Sequence, residues 1–374
     1  MSLKLMHTSD VHLGAKFSFL GSRAHEQRTL LRSTFASLID QALSAKVQLF
    51  VIAGDLFDTP FPAGVDVNHV QEQFGRLAAA DIRIAVTPGN HDRLETGSVF
   101  AGTAFKSLED SGHLKIFREK VEAWDVPELL TTVYGTATKE RVSRRSPLDG
   151  LKVESSQKTR IGIFHGSLDI TKDDGNAPIS KDVLAKSGLD YVALGDWHST
   201  LDVSAGNVTA WYSGSPEMLQ PAQQGAGRVL QVEAGDGKAS VRQLQSGKRK
   251  VYNHSLNLAE QVLPAAVLEA IKKHAEQQDF VVLTVEGTKK PGGVFDLDSL
   301  TRLLEEQFFY VKVKDDTKLE LGEDVLKQFP ETTIAGRFIR SLQARHTGDA
   351  QQDSIIDEAI QLGVSLLLKT DDSD

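Results

Sequence analysis

The sequence predicts an α/β fold in which two packed sheets carry helices outside them, followed by a smaller α/β unit. Three observations lead there. Short apolar runs alternate with helix-periodic stretches over the first 195 residues, the texture turns strand-rich over 208–244, and the alternation resumes beyond 250. Strands alternating with helices imply a largely parallel sheet. At 374 residues the chain exceeds the size at which one core keeps growing, so a large domain with a smaller companion is expected.

Residues 3–8 are a short apolar run, read as a buried strand. Residues 26–45 place Leu30, Leu31, Phe35, Leu38, Ile39 and Leu43 at helical spacing. A compact apolar run over 49–53 stops at Gly54, a second helix is expected over 65–80, and a strand over 83–87 stops at Pro88-Gly89. Beyond a basic loop come a strand over 160–164, a helix over 181–187 and a strand over 191–194 before Gly195. Strands over 209–212, 228–232 and 240–244 follow, the last two joined by a turn at Gly235-Asp236-Gly237.

Near Lys248 the composition turns basic and polar, which sets domains at 1–248, 249–320 and 321–374. The middle one reads as a small α/β domain with helices over 264–277 and 297–307 and strands over 280–285 and 309–313. Its segment 289–293 is a mobile-loop candidate. The last is helical, with two helices over 324–369 broken near Gly348 and a frayed acidic end at 371–374. No internal repeat is present.

Composition narrows the chemistry. Apolar residues at 40% and charged residues at 25% are ordinary for a soluble globular chain. No stretch is long and apolar enough to span a bilayer, and Lys4, His7 and Asp10 interrupt the N-terminal apolar run, so a cytoplasmic protein is expected. With zero cysteines, disulfides, thiolate sites and thiol catalysis are excluded. Any metal is left to His, Asp, Glu or Asn, donors that suit harder ions.

A net charge of −9 argues against a protein that coats nucleic acid generally, but leaves room for a local basic track. Lys139, Arg141, Arg144, Arg145, Lys152, Lys158 and Arg160 outnumber Glu140, Asp149 and Glu154, and Lys248-Arg249-Lys250 forms a second cluster. Both clusters read equally as a DNA track and as a solvated loop face.

Five strand ends carry ligand-type residues. The first strand runs into Asp10-Val11-His12, and residues two apart in an extended segment point the same way. The second ends in Gly54-Asp55-Leu56-Phe57-Asp58 and the third in Gly89-Asn90-His91-Asp92. His165-Gly166 and Gly195-Asp196-Trp197-His198 close two later strands. Taken singly, each is an ordinary turn or a surface histidine. Five in order, each after an apolar strand, at the edge where open α/β sheets bind ligands, point to a metal site.

This pattern resembles the calcineurin-like metallophosphoesterases over roughly the first 250 residues, a motif-level match. Within that class the chain is most similar to the SbcD-type DNA repair nucleases, through the run from Leu5 to Gly14, Ala53-Gly54-Asp55-Leu56-Phe57-Asp58, and Tyr212-Ser213-Gly214-Ser215-Pro216-Glu217. The resemblance implies a four-layer αββα sandwich over the first domain, and the smaller carboxyl-terminal unit reads as a cap or as a partner-binding region. It also implies two divalent ions, Mn²⁺ foremost with Mg²⁺ or Fe as alternatives. One would be held by Asp10, His12 and His198, the other by Asn90, His165 and Asp196, with Asp55 bridging. Asp196 departs from the branch, which has histidine there. It reads either as a harder, anionic ligand or as a partner that orients a ligating histidine.

Two ions suffice to activate a water for in-line displacement, so no protein nucleophile is needed. The leaving alkoxide needs a proton, for which His91 is the candidate general acid. Asp92 either orients the His91 ring or braces the turn. Phe17 to Phe19, Trp197 and Tyr212 either line the substrate path or pack in the core. The leading expectation is a DNA phosphodiesterase, exonuclease or endonuclease, paired with an SbcC-like coiled-coil ATPase and compatible with a homodimer. A phosphoesterase acting on a small diester, a cyclic nucleotide or a phosphoprotein is the alternative, and a noncatalytic DNA-end-binding scaffold the third.

Overall fold

The computed structural model describes residues 2–155, 157–168, 176–223, 225–235, 237–258, 263–289, 296–319 and 329–369. The chain folds as two units, Met1–Lys250 and Val251–Asp374.

The first unit opens with β1 (Leu3–Thr8), α1 (Ala24–Ala45), β2 (Leu49–Ala53), α2 (Gly64–Ala79) and β3 (Arg83–Thr87). A short α3 (Lys106–Asp110) leads to β4 (Leu114–Ile116), β5 (Glu122–Val126) and β6 (Thr131–Gly135). Then come β7 (Thr159–His165), α4 (Lys181–Ala185), β8 (Tyr191–Gly195), β9 (Leu201–Asp202), β10 (Thr209–Tyr212), β11 (Arg228–Gly235) and β12 (Lys238–Gln245). Two six-stranded sheets result, ordered β12-β11-β1-β2-β3-β4 and β5-β6-β7-β8-β10-β9.

The middle strands of each sheet are parallel: β1, β2, β3 and β4 in one, and β6, β7, β8 and β10 in the other. Their alternate residues face inward, so Leu5, Val51, Ile161, Ile163, Tyr191, Ala193 and Val232 form one core between the sheets. The outer faces of β2 and β3 are buried as well, because α1 and α2 turn Leu31, Phe35, Leu38, Val70, Phe74 and Leu77 inward. Outside the second sheet, Phe164, Val192, Leu194 and Tyr212 lie under Leu184 of α4 and the irregular Leu148 and Leu151. The order helix, sheet, sheet, helix is the expected αββα sandwich, its fourth layer thin.

The structure adds strands that the sequence does not announce. β4, β5 and β6 lie between the strand over 83–87 and the basic loop, where no element is assigned from sequence, and β13 (Val251–Asn257) opens the second unit. β6 is fully buried yet polar in composition, and its hydroxyls are satisfied locally: Thr131 donates to the Leu129 carbonyl at 2.9 Å and Thr132 to Asp125 at 2.5 Å. The hairpin β11–β12 closes with Gly235 opposite Lys238. Asp236 lies outside the described residues.

The second unit continues with α5 (Pro264–Lys272), β14 (Phe280–Glu286), β15 (Thr288–Lys289), α6 (Leu297–Glu305), β16 (Tyr310–Asp315) and β17 (Lys318–Leu319). β13, β14 and β16 make a parallel sheet, packed through Leu256, Val281, Leu283 and Val311 against Val267, Ile271, Leu300 and Leu304 of the helices. α5 ends at Lys272, short of the 277 its sequence suggests. Beyond it Asp279 accepts the Glu276 amide at 2.9 Å, forming a turn in place of further helix. The Asp296 side chain caps α6 by accepting the Ser299 amide at 2.8 Å.

Two last helices, α7 (Ile334–Gln343) and α8 (Ala350–Lys369), pair through Ile339, Ile360 and Val364, with Gly348 between them. The loop over 290–293, the helix start expected at 324 and the acidic end at 371–374 lie outside the described residues. No helix among the described residues is long and apolar enough to cross a membrane.

Candidate metal centre

The carboxyl ends of β1, β2 and β3 meet those of β7 and β8 across the gap between the sheets, which brings the five motifs together. The loops after β1 and β2 lace side by side: the Asp10 amide donates to Gly54 O at 3.1 Å, the His12 amide to Asp55 O at 3.0 Å and the Leu13 amide to Leu56 O at 3.0 Å. Four of the candidate ligands adopt positive φ, Asp10 at 52°, His12 at 51°, Asp55 at 52° and Asp196 at 94°. Each such non-glycine position costs on the order of 1–3 kcal/mol, and strain of this kind gathers at functional sites. Two glycines let the loops close. A Cβ on Gly54 would lie 2.1 Å from His165 Nδ1, and one on Gly89 would lie 2.1 Å from Asp55 Oδ1.

His165 donates from Nδ1 to the Ala53 carbonyl at 2.9 Å, which fixes its tautomer and turns Nε2 toward the cluster. That Nε2 lies 2.9 Å from Asn90 Oδ1, 3.5 Å from Asp55 Oδ2 and 3.6 Å from Asp196 Oδ1. His12 Nδ1 is 3.1 Å from Asp58 Oδ1, and its Nε2 is 3.6 Å from the same Asp55 oxygen. Asp55 Oδ2 therefore stands between two imidazoles. Asp10, His12 and His198 converge within 4.8 Å as one group, and Asp10, Asp55 and His165 as another.

Divalent cations fit this donor set. The His12 Nε2 atom is buried with no hydrogen-bond partner, an arrangement that costs about 1–3 kcal/mol if nothing binds it. Among the described residues no Lys or Arg pairs with Asp10, Asp55 or Asp196, so the negative charge is met by the histidines. Burial pushes the His165 pKa down, but the charges of Asp55, Asp196 and Asp10 outweigh it and hold the value well above the ordinary one. Burial likewise opposes ionisation of Asp55, yet His165 and His12 keep its pKa well below the usual carboxylate range. Burial lowers that of His198.

His91 sits at the edge of this cluster with 36% of its side chain exposed. Its amide donates to Asp55 Oδ1 at 2.9 Å, and its ring meets that of His12 edge-on at 4.6 Å. Its Nδ1 faces the Asp58 carbonyl at 3.3 Å and the Asp58 carboxylate at 3.5 Å. That hydrogen bond to Asp58, with the charge of Asp55 behind it, raises the His91 pKa to about 9.

Of the two readings of Asp92, the turn is the one its hydrogen bonds serve: its buried carboxyl accepts the Gly89 amide at 2.7 Å and the Phe57 amide at 3.1 Å. Asp58 is the carboxylate that faces both His91 and His12, and it stands outside the candidates drawn from the motifs. Its signal is present in the Gly54-Asp55-Leu56-Phe57-Asp58 run, where a second acid follows the first by three positions.

Asp196 is held rather than loose. Ser167 donates to its Oδ2, Asn176 donates to its Oδ1 at 3.1 Å, and its own amide donates to Asp10 Oδ1 at 3.1 Å. Asp10 is braced by Ser9, which bonds its Oδ2 at 2.5 Å and Ser213 at 2.8 Å. Gln223 fixes the His198 backbone by donating to its carbonyl at 2.8 Å.

The basic track is dispersed. Arg160 pairs with buried Asp190 at 2.7 Å, and Arg249 is buried against Glu26 and Gln27. Lys158 precedes β7, so it lies at the far edge of the sheet, about 20 Å of strand from His165. Arg145 lines a recess of about 250 Å³ with Lys120 and Lys139, while Arg141 lines a recess of about 830 Å³ over Asn90, His91 and Asp196. Tyr212 is buried and donates to the Gly166 carbonyl at 2.7 Å, which settles it as a core residue.

Two facing sheets with carboxylates, imidazoles and one amide on the loops at their carboxyl edges define a metallophosphoesterase fold. The sequence profile described as calcineurin-like phosphoesterase matches residues 3–200, and the chain belongs to that family. The uncharacterized metallophosphoesterase YhaO of Bacillus subtilis (strain 168) is 28% identical over 224 residues, 58% of this chain and 53% of that protein. The DNA double-strand break repair protein Mre11 of Methanosarcina acetivorans is 24% identical over 344 residues, 87% of this chain and 52% of that protein. That of Aeropyrum pernix is 29% identical over 211 residues, 52% of this chain and 49% of that protein. The chain thus spans about half the length of the curated relatives it matches. Among solved structures, the calcineurin-like phosphoesterase YfkN from Bacillus subtilis is similar at 12% identity and a TM-score of 0.34, over 66% of this chain and 90% of that one.

Proposed function

We propose that this chain is a metal-dependent phosphodiesterase that hydrolyses DNA in repair, as an exonuclease, an endonuclease or both. On this reading residues 1–248 are the catalytic domain, 249–320 a small α/β domain and 321–374 a helical segment. Asp10, His12 and His198 hold one divalent ion, Asn90, His165 and Asp196 the other, and Asp55 serves both. When bound, two such ions, Mn²⁺ foremost with Mg²⁺ or Fe as alternatives, activate water and neutralise charge on the phosphate.

The observation that carries the reading is the placement of His91. Its Nδ1 is anchored by Asp58, which leaves Nε2 to deliver a proton to the leaving alkoxide. A phosphodiester needs that proton, because an alkoxide is a poor leaving group unprotonated. His165 and His12, anchored through Nδ1 by Ala53 and Asp58, present Nε2 as a donor and need no rearrangement to do so.

DNA is favoured over a small ester by the relatives that are DNA double-strand break repair proteins and by the recess of about 830 Å³ that Arg141 borders. An SbcC-like coiled-coil ATPase is the partner this reading calls for, as the source of any ATP-driven step. The place of action is the cytoplasm, and a homodimer is compatible with the reading.

The test is cleavage of single-stranded, duplex and hairpin DNA with Mn²⁺, beside a chromogenic diester and a phosphomonoester. Diester and DNA turnover are expected. Strong preference for the monoester with inert DNA would overturn the reading in favour of a small-substrate phosphoesterase.

A further inference from the structure

Two recesses flank the loop that runs from Thr138 to Pro147. Its Ser143 and Arg145 line the recess of about 250 Å³ that reaches His165, and its Arg141 and Val142 line the recess of about 830 Å³ over Asn90 and Asp196. The loop is therefore the wall between two approaches to the second candidate ion position. Its ends are fixed, Thr138 by accepting the Leu94 amide at 2.8 Å and Pro147 by accepting the Thr136 hydroxyl at 2.8 Å. Between them, among the described residues, the backbone is tied to other elements only at Ser143. The Ser143 amide donates to Asn176 Oδ1 at 3.0 Å, and its carbonyl accepts the Ala177 amide at 2.6 Å.

Asn176 meets Asp196 with the other half of the same carboxamide. Its Nδ2 donates to Asp196 Oδ1 at 3.1 Å, and its carbonyl accepts the amide of Ser167, the residue that bonds Asp196 Oδ2. A flipped carboxamide would set oxygen against carboxylate and NH2 against N–H, so the two neighbours fix one orientation. Gly166 lets this segment come close, since a Cβ there would lie 2.3 Å from the Ala177 carbonyl oxygen. One planar amide thus joins a candidate ligand of the second ion to the middle of the arginine-bearing loop.

Asp196 Oδ1 has a second lone pair beyond the one Asn176 uses, so it can face a cation while keeping that bond. With no cation, the charges of Asp10 and Asp55 push on Asp196 within the same cluster, and its bond to Asn176 is free to loosen. With the position filled, that repulsion is offset and Asp196 is held against Asn176. We propose that Asn176 is a positioning residue that couples filling of the second ion position to ordering of the 138–147 loop, and so to presentation of Arg141 to an anionic group of the substrate. The proposal rests on Asp196 serving as a metal ligand, as in the reading above. Such coupling is reciprocal: whatever factor the filled position adds to loop order, the ordered loop adds to ion affinity.

Trypsin reads the loop directly, because Lys139, Arg141, Arg144 and Arg145 are exposed cleavage sites within it. Cleavage there, measured against tryptic sites elsewhere in the chain, should slow about tenfold in the wild type as Mn²⁺ is raised to saturation, a typical coupling factor. In Asn176→Ala, cleavage should be fast at every Mn²⁺ concentration, and one of the two Mn²⁺ sites should weaken about tenfold by calorimetric titration. Ser167→Ala loosens the same carboxylate from its other side but leaves the link to Ser143. It should weaken that Mn²⁺ site and, once the site is refilled, still protect the loop. At saturating Mn²⁺, Asn176→Ala should also raise KM for a DNA oligonucleotide severalfold, more than it lowers kcat. Two Mn²⁺ ions bound by the wild type with no change in loop cleavage, or Mn²⁺-dependent protection surviving in Asn176→Ala, would overturn the proposal. A wild type that binds no second Mn²⁺, or two ions bound with unaltered affinity by Asp196→Asn, would instead overturn the metal assignment beneath it.

Discussion

Asp58 Oδ1 lies 3.1 Å from His12 Nδ1 and thereby aims the other ring nitrogen, buried and without a hydrogen-bond partner, at Asp10, Asp55 and His198. Carboxylates that orient a ligating imidazole in this way contribute about 10–100-fold to metal affinity. Asp58→Ala should therefore weaken Mn²⁺ binding by about that factor while the fold survives, as read by calorimetric titration beside circular dichroism. Because Asp58 also anchors His91, turnover at saturating Mn²⁺ should stay depressed. Full recovery of turnover on adding metal would show that Asp58 acts on His12 alone.

His91→Ala is expected to keep its ions by elemental analysis and to lose most diester cleavage, on the order of 10²–10⁴-fold for a lost general acid. A leaving group that needs no proton, such as p-nitrophenolate, should be affected far less than an alkyl ester. Equal losses on the two esters would remove the general-acid role from His91.

Glycine placement sets up a prediction with an internal contrast. Gly54 has φ of 90°, and a Cβ there would meet the His165 ring at 2.1 Å. Gly75 lies inside α2 with open space around its Cβ position. Gly54→Ala should destabilise the fold by about 1–3 kcal/mol through overpacking and displace His165. Gly75→Ala should stabilise it by about 0.5–1 kcal/mol, because alanine loses less backbone entropy in a helix. Urea denaturation of both variants checks the pair, and similar midpoints would refute the contrast.

The acid limb of stability should carry a contribution from His7. This residue is buried between the sheets, bonded through Nδ1 to the Tyr191 hydroxyl at 2.8 Å, and burial holds its pKa at about 3 against the ordinary 6.5. Above pH 6.5 both folded and unfolded chains hold it neutral. As pH falls below 6.5 the unfolded chain takes up a proton that the folded one refuses, and stability is lost at up to about 1.4 kcal/mol per pH unit until about pH 3. Between pH 6.5 and 5 the wild type should therefore lose about 2 kcal/mol more than His7→Asn. An unchanged difference between the two proteins across that interval would mean that His7 is not held neutral.

What the sequence discloses and what it hides follow one physical division. β1, β2, β3, β7 and β8 are legible because each is a compact apolar run that leads to a glycine or a ligand motif. β6 is not legible, since its Thr131, Thr132 and Tyr134 are polar groups satisfied only by neighbours that the fold supplies, Tyr134 accepting the Ser155 amide at 3.2 Å. The same holds at the site. The motif residues converge as their order along the chain suggests, but Asp58 takes its role from His12, 46 residues away. Whether Asp92 turns toward His91 or toward the Gly89 amide is decided by a turn geometry that no spacing encodes.

Asp196 is where sequence and geometry together leave a sharp choice, and one substitution resolves it. Its Oδ1 lies 3.6 Å from His165 Nε2 and is also bonded by Asn176, while Ser167 holds the other oxygen. As a ligand it gives the second ion an anionic oxygen, a harder donor than imidazole, and should favour Mn²⁺ or Mg²⁺ over softer ions. Asp196→Asn preserves shape and both hydrogen-bonding neighbours but removes the charge. It should lower the affinity of one Mn²⁺ site while leaving the other near the wild-type value, giving one ion per chain at limiting metal. Asp55→Ala, by contrast, should weaken both sites, because Asp55 Oδ2 faces His12 and His165 together. Two ions bound to Asp196→Asn with unaltered affinity would make Asp196 a residue that orients His165 and nothing more.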